Sequence, residues 1–102
     1  MRIQNRRVDI EIHKKYSEKI INIKICNDIY IDRVRIKFEN GYGISIVKGS
    51  KTQGGEDDLF EIAPLDNHGN LNGKLIGFEN DDVLGYLTKD DVNEIIKQIT
   101  NL

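Results

Sequence analysis

Residues able to do chemistry are few in this chain, and their spacing decides what they can do. There are two histidines, His13 and His68, and one cysteine, Cys26. A single cysteine excludes an internal disulfide, a zinc ribbon and a CxxC redox pair, so Cys26 reads as a half-buried apolar thiol. A metal site would need His13 and His68 to converge with carboxylates such as Asp57, Asp58, Asp81 or Asp82, and the two histidines fall in different elements. Asp57-Asp58 and Asp81-Asp82 offer the paired carboxylates of a nuclease. Adjacent residues on a strand point to opposite faces, however, and no lysine follows at a telling spacing, so both pairs read as solvated charge.

Two segments imitate ligand cradles. Gly43 to Thr52 ends in Gly-Ser-Lys-Thr, but Ser50 breaks the G-x-x-x-x-G-K-[ST] spacing. The segment also leads into a polar loop instead of the helix N-terminus a phosphate cradle needs. Asp66-Asn67-His68-Gly69-Asn70 has the composition of a calcium loop, yet Leu71 and Gly77 stand where glycine and a bidentate glutamate are required, and it reads as a turn. No nucleophile elbow or Cys-His pattern occurs. The chain is expected to be no enzyme and to carry neither metal nor cofactor.

Charge is the remaining signal. The formal net charge is −2, but residues 1–51 carry twelve Lys/Arg against six Asp/Glu, and residues 52–102 carry three against eleven. The plain reading is that the basic half neutralises the acidic half, within one molecule or across a dimer. Two sharper readings stand beside it. In one, an acidic surface of Glu56, Asp57, Asp58, Glu61, Glu79, Asp81 and Asp82, with Tyr86, docks on a basic partner protein. In the other, Arg6, Arg7, Lys14, Lys15, Arg33, Arg35 and Lys37 bind nucleic acid, with Tyr30 stacking on a base.

The elements that must position these residues are mostly strands. Val8, Ile10 and Ile12 alternate with Asp9 and Glu11, which predicts a strand over 7–13 whose free edge is able to pair two copies into a dimer. Residues 14–19 read as a turn, and Ile21, Ile23 and Ile25 predict a second strand over 19–26. Val34, Ile36 and Phe38 alternate with Arg33, Arg35 and Lys37. Asn40-Gly41 then predicts a type I′ hairpin turn from 33–39 into 42–48, where Gly43 and Ser45 make a thin face open to close approach. Residues 49–58 hold no apolar side chain and read as a solvated loop. Strands follow at Leu59–Ala63 and, more weakly, Leu71–Phe78. Thr88 caps a helix over 89–100, with Val92, Ile95, Ile96 and Ile99 forming one apolar stripe. The predicted architecture is α+β, a single domain over 1–102 in which a meander of five or six mainly antiparallel strands carries one C-terminal helix. No apolar run reaches the length of a membrane span, and no secretion signal opens the chain, so a cytoplasmic setting in a bacterial host cell is expected.

From Gly41 onward the order Gly-Tyr-Gly-Ile-Ser-Ile-Val, Leu-Phe-Glu-Ile-Ala and Asp-Asp-Val-Leu-Gly-Tyr-Leu-Thr, leading into Asp-Val-Asn-Glu-Ile-Ile, resembles small phage and prophage proteins of low-GC bacteria. The resemblance carries no catalytic signature. It implies a phage accessory protein, a stoichiometric binder of a host or phage protein that acts, as anti-CRISPR proteins do, by blocking a host defence nuclease through its acidic surface. A structural or assembly protein of the phage particle is the other role it allows.

Overall fold

The computed structural model describes all residues, Met1 to Leu102. A two-stranded hairpin comes first, β1 (Arg2–Asn5) paired antiparallel with β2 (Val8–Glu11). A single helical turn, α1 (Lys14–Ser17), leads into an antiparallel meander of β3 (Ile20–Asn27), β4 (Ile31–Phe38), β5 (Gly43–Gly49), β6 (Phe60–Leu65) and β7 (Leu84–Leu87), whose order in space is their order in sequence. Helix α2 (Lys89–Thr100) closes the chain. No helix is long and apolar enough to cross a membrane.

Alternation builds one core. Val34, Ile36 and Phe38 of β4, Ile44 and Ile46 of β5, and Phe60 and Ile62 of β6 are buried on one sheet face. That face is covered by Val8 and Ile10 of the hairpin, by Ile12, and by Val92, Ile95, Ile96 and Ile99 of α2. Both charge halves therefore contribute to the same core. Helix α2 starts as its sequence dictates: the Thr88 hydroxyl accepts from the Asp91 N–H at 3.1 Å, and the Asp91 carboxylate accepts from the Thr88 N–H at 2.9 Å.

Several local expectations are corrected. The strand predicted over 7–13 is only Val8–Glu11; it already has β1 as neighbour, and the long free edge of the main sheet belongs to β3. Residues 14–17 are a helical turn, because Tyr16 buries its ring there. The turn after β4 is a three-residue loop instead of a type I′ pair. Gly41 N–H donates to the Phe38 carbonyl at 2.9 Å, and Gly41 alone has positive φ, at 89°. This is a type I turn closed by a left-handed glycine. Within the turn the Asn40 side-chain carbonyl accepts from the Tyr42 N–H at 3.1 Å. The Asn40 amide donates to the Ile99 carbonyl at 2.9 Å, satisfying an acceptor near the C-terminal end of α2.

Residues 71–78 are not a strand. A lone bridge joins Leu71 to Leu65, then Gly73–Ile76 winds as a 3₁₀ turn while Ile76 and Phe78 pack against the core. The Gly73 N–H donates to the Asp82 carboxylate at 2.9 Å and holds the loop shut. The fifth strand is β7, whose Leu-Gly-Tyr-Leu shows no alternation because a bulge interrupts its pairing between Phe60↔Leu87 and Ile62↔Leu84.

Candidate anion-binding face

The second face of the sheet carries no helix. Its layout follows from register, since directly paired residues share a face. One row across β3 to β6 reads Lys24, Arg35, Ser45, Ala63; the row on one side reads Cys26, Arg33, Val47, Glu61; that on the other reads Asn22, Lys37, Gly43, Leu65. Long cationic side chains on β3 and β4 thus stand beside a floor of small residues on β5 and β6. Two shallow troughs result. One, of about 270 Å³, lies between Lys24, Arg35 and Lys37 and the turn Asp66–Gly69; the other, of about 220 Å³, lies over Ser45, Val47 and Ala63, and Arg35 borders both.

The thin face expected at Gly43 is real, and what approaches it is the neighbouring strand. A Cβ at Gly43 would collide with the Ile36 carbonyl oxygen, so only glycine lets β4 and β5 close here. Arg33, Arg35 and Lys37 recur at every second residue of β4, about 6.7 Å apart along the strand. None of these three, nor Lys24, is in an ion pair; the six pairs that form use other residues. The nearest polar partner of Arg35 is the Gly69 carbonyl, 3.4 Å from its guanidinium. Glu61 is the one carboxylate in the three rows, and burial raises its pKa despite the nearby Arg33.

The other cationic candidates are placed elsewhere. Arg6 and Arg7 flank the buried Asp32 carboxylate, which accepts from the Arg7 backbone N–H at 3.0 Å, and the Arg7 guanidinium also donates to the carbonyls of Tyr30 and Ile29. Arg7 is thus occupied in fixing the hairpin to the β3–β4 turn, whereas the exposed Arg6 only approaches Asp32, at 3.8 Å. The Tyr30 ring is covered by the Lys51 ammonium, 4.2 Å from its centroid. Lys14 and Lys15 lie on α1, with Lys14 4.0 Å from Glu18 and Lys15 over the Tyr16 ring.

The acidic candidates are carried by different elements. Glu56 and Asp57 are exposed on a 3₁₀ turn (Gly55–Asp57) near the Leu87 end of β7, whereas Glu79, Asp81 and Asp82 precede its Leu84 end. Asp82 is spent on the Gly73 N–H, and Glu61 lies on the sheet face among the arginines. Asp58 pairs with Lys48, the one ion pair that joins the basic half to the acidic half, and the bond holds its carboxyl below the usual range. Tyr86 lies on β7 against Gly54, in the loop that carries Glu56 and Asp57. Its side chain is exposed, and its backbone sits in the left-handed region at φ 59°, held by a hydrogen bond from its N–H to the Gln53 carbonyl at 3.1 Å.

His13 stacks on Tyr16, and His68 lies in the turn whose N–H groups are gathered by Asp66, so the histidines do not meet. No group of three or more His, Cys, Asp or Glu side chains is placed to hold a metal ion. The residue that sequence reasoning passed over is Lys24, cationic, exposed and placed by register directly opposite Arg35. Its signal was present in the alternation of Asn22 and Lys24 with the strand isoleucines. No protein-family model matches the chain, and neither a curated protein nor a solved structure does.

Proposed function

We propose that this protein is a non-catalytic binding module whose helix-free sheet face takes the phosphate backbone of single-stranded nucleic acid. The observation that carries the reading is the group Lys24, Arg33, Arg35 and Lys37: four cations on two adjacent strands, none of them ion-paired. Like charges directly opposed across a strand pair cost stability. An anionic ligand turns that cost into affinity. The regular cation spacing along β4 suits a chain of phosphates. No aromatic ring stands in the three rows, so recognition is by charge and shape, with little base preference.

Fluorescence anisotropy of a labelled single-stranded oligonucleotide at low salt tests this directly, with poly-glutamate as competitor. Saturable binding that Arg35→Glu abolishes is the expected result. Absence of binding at low salt, or displacement by poly-glutamate at equal charge concentration, would move the ligand to an acidic protein or remove it.

A second reading keeps the phage-type inhibitor role, with Tyr86 and the neighbouring Glu56 and Asp57 as the contact with a basic groove on a defence nuclease. One observation favours it: an exposed aromatic is retained in a backbone conformation that suits glycine. Tyr86→Ala, assayed for inhibition of a defence nuclease, separates it from the first reading, because Tyr86 is outside the cationic rows.

A further inference from the structure

We infer that two copies of the chain pair antiparallel through the free edges of β3, about a two-fold axis at Ile23, to give one continuous ten-stranded sheet. The main sheet has two edges, and they are unlike. The β7 edge is only four residues long, which blunts it. The β3 edge is eight residues long and contains no proline, with Ile21 59% and Ile25 54% exposed. The hairpin and α2 lie mainly over β4 to β7; the hairpin reaches β3 at its far end, where Asn5 and Asn27 exchange amide hydrogen bonds of 2.9 and 2.8 Å, and Ile21 and Ile25 stay exposed.

What occupies the edge is argued from its own sequence. A two-fold axis perpendicular to the sheet keeps the faces aligned, so directly opposed residues share a face and the axis must pass through a residue position. An axis through Lys24 would oppose two ammonium groups. An axis through Ile25 would set Ile23 against Asn27 and leave Ile21 uncovered. Through Ile23, Lys24 meets Asn22 of the other copy, and Ile25 meets Ile21, the extra residue of the β3 bulge. That single register separates the lysines and covers both exposed isoleucines. The same pairing makes the cation rows of two molecules continuous on one face. This consequence rests on the nucleic-acid reading; the dimer does not.

Sedimentation velocity of the full chain from micromolar to millimolar concentration provides the first test. A dimer is expected, and Ile25→Glu, at an exposed position, should raise its dissociation constant roughly tenfold or more while leaving the far-ultraviolet spectrum unchanged. The register is read by oxidation. The double variant Ile23→Cys with Cys26→Ser should form a disulfide across the axis, since directly opposed Cα atoms lie about 4.5–5.5 Å apart. Wild-type Cys26, displaced from its counterpart by roughly 20 Å along the strand, should not. A chain that stays monomeric throughout, or a dimer insensitive to Ile25→Glu without the Ile23 cross-link, overturns the inference. Oligonucleotide binding by the Ile25→Glu monomer reports separately on the cationic face, so failure of one reading does not hide failure of the other.

Discussion

Lys24 stands directly opposite Arg35 across the β3–β4 pair, and neither forms an ion pair with a carboxylate. Two like charges at such a position trade stability for a local positive field. Lys24→Glu should therefore do two opposite things. It should raise unfolding stability by about 0.5–1 kcal/mol in urea titration, as a repulsive cross-strand pair becomes attractive. It should also weaken oligonucleotide binding. A loss of both stability and binding would show that Lys24 supports the fold and not the ligand.

Salt dependence should count the cations engaged. If the four basic side chains each meet one phosphate of a single strand, log K against log salt has a slope of about −3. Arg33→Ala, Arg35→Ala or Lys37→Ala should each flatten the slope by roughly 0.7–1. Arg7→Ala should leave it unchanged, because Arg7 is committed to Asp32 and to the carbonyls of Tyr30 and Ile29. Isothermal titration over a salt series provides the measurement.

Glu61 should couple pH to both properties. Burial raises its pKa, so just above the ordinary carboxylate range the folded chain keeps a proton that the unfolded chain has lost. The Glu61 contribution to stability therefore falls as pH rises through that window and levels off above it. The same deprotonation places a negative charge in the Arg33 row and lowers polyanion affinity. Glu61→Gln should remove both trends and leave binding at neutral pH stronger than in the wild type. Denaturation and anisotropy across pH 4 to 7, a span set about the usual carboxylate values, follow the two effects separately.

Tyr86 should reveal its backbone strain by comparison of two truncations. In the left-handed region an L-residue costs about 1–2 kcal/mol that glycine does not. Tyr86→Gly should consequently be about 1 kcal/mol more stable than Tyr86→Ala, the reverse of the order expected in a regular strand. Equal stabilities would mean that the bulge relaxes when the ring is removed.

Asn93 should be the costliest polar residue of α2 to remove. It is buried, its carbonyl accepts from the His13 N–H at 3.0 Å, and its amide donates to the carbonyls of Glu11 at 2.8 Å and Lys89 at 3.1 Å. Asn93→Ala orphans these groups where the helix meets the hairpin and should cost about 1–3 kcal/mol in urea unfolding. Glu94→Ala, one residue on and exposed, should be near neutral.

By itself the sequence determined whatever depends on period and local chemistry. Isoleucine alternation specified the strands around Ile23, Val34 and Ile44 and hence the two faces of the sheet, and Thr88 with Asp91 specified the start of α2. Once Arg33, Arg35 and Lys37 alternated with Val34, Ile36 and Phe38, their common face was legible. Only the tertiary structure decided how far those cations are free. Arg7 looks identical to Arg33 and Arg35 in a charge count, but Asp32 reaches it across twenty-five residues of chain. Lys24 gained its meaning from a cross-strand register that no local pattern encodes. Asn40 does not take the expected positive φ; its side chain bridges the turn, at the Tyr42 N–H, to a carbonyl of α2. The strand at β7 was invisible because its pairing is set by β6 and broken by a bulge, so its side chains keep no period of two. Periodicity reports which way a side chain points, whereas ion pairing and edge exposure depend on which distant segment arrives beside it.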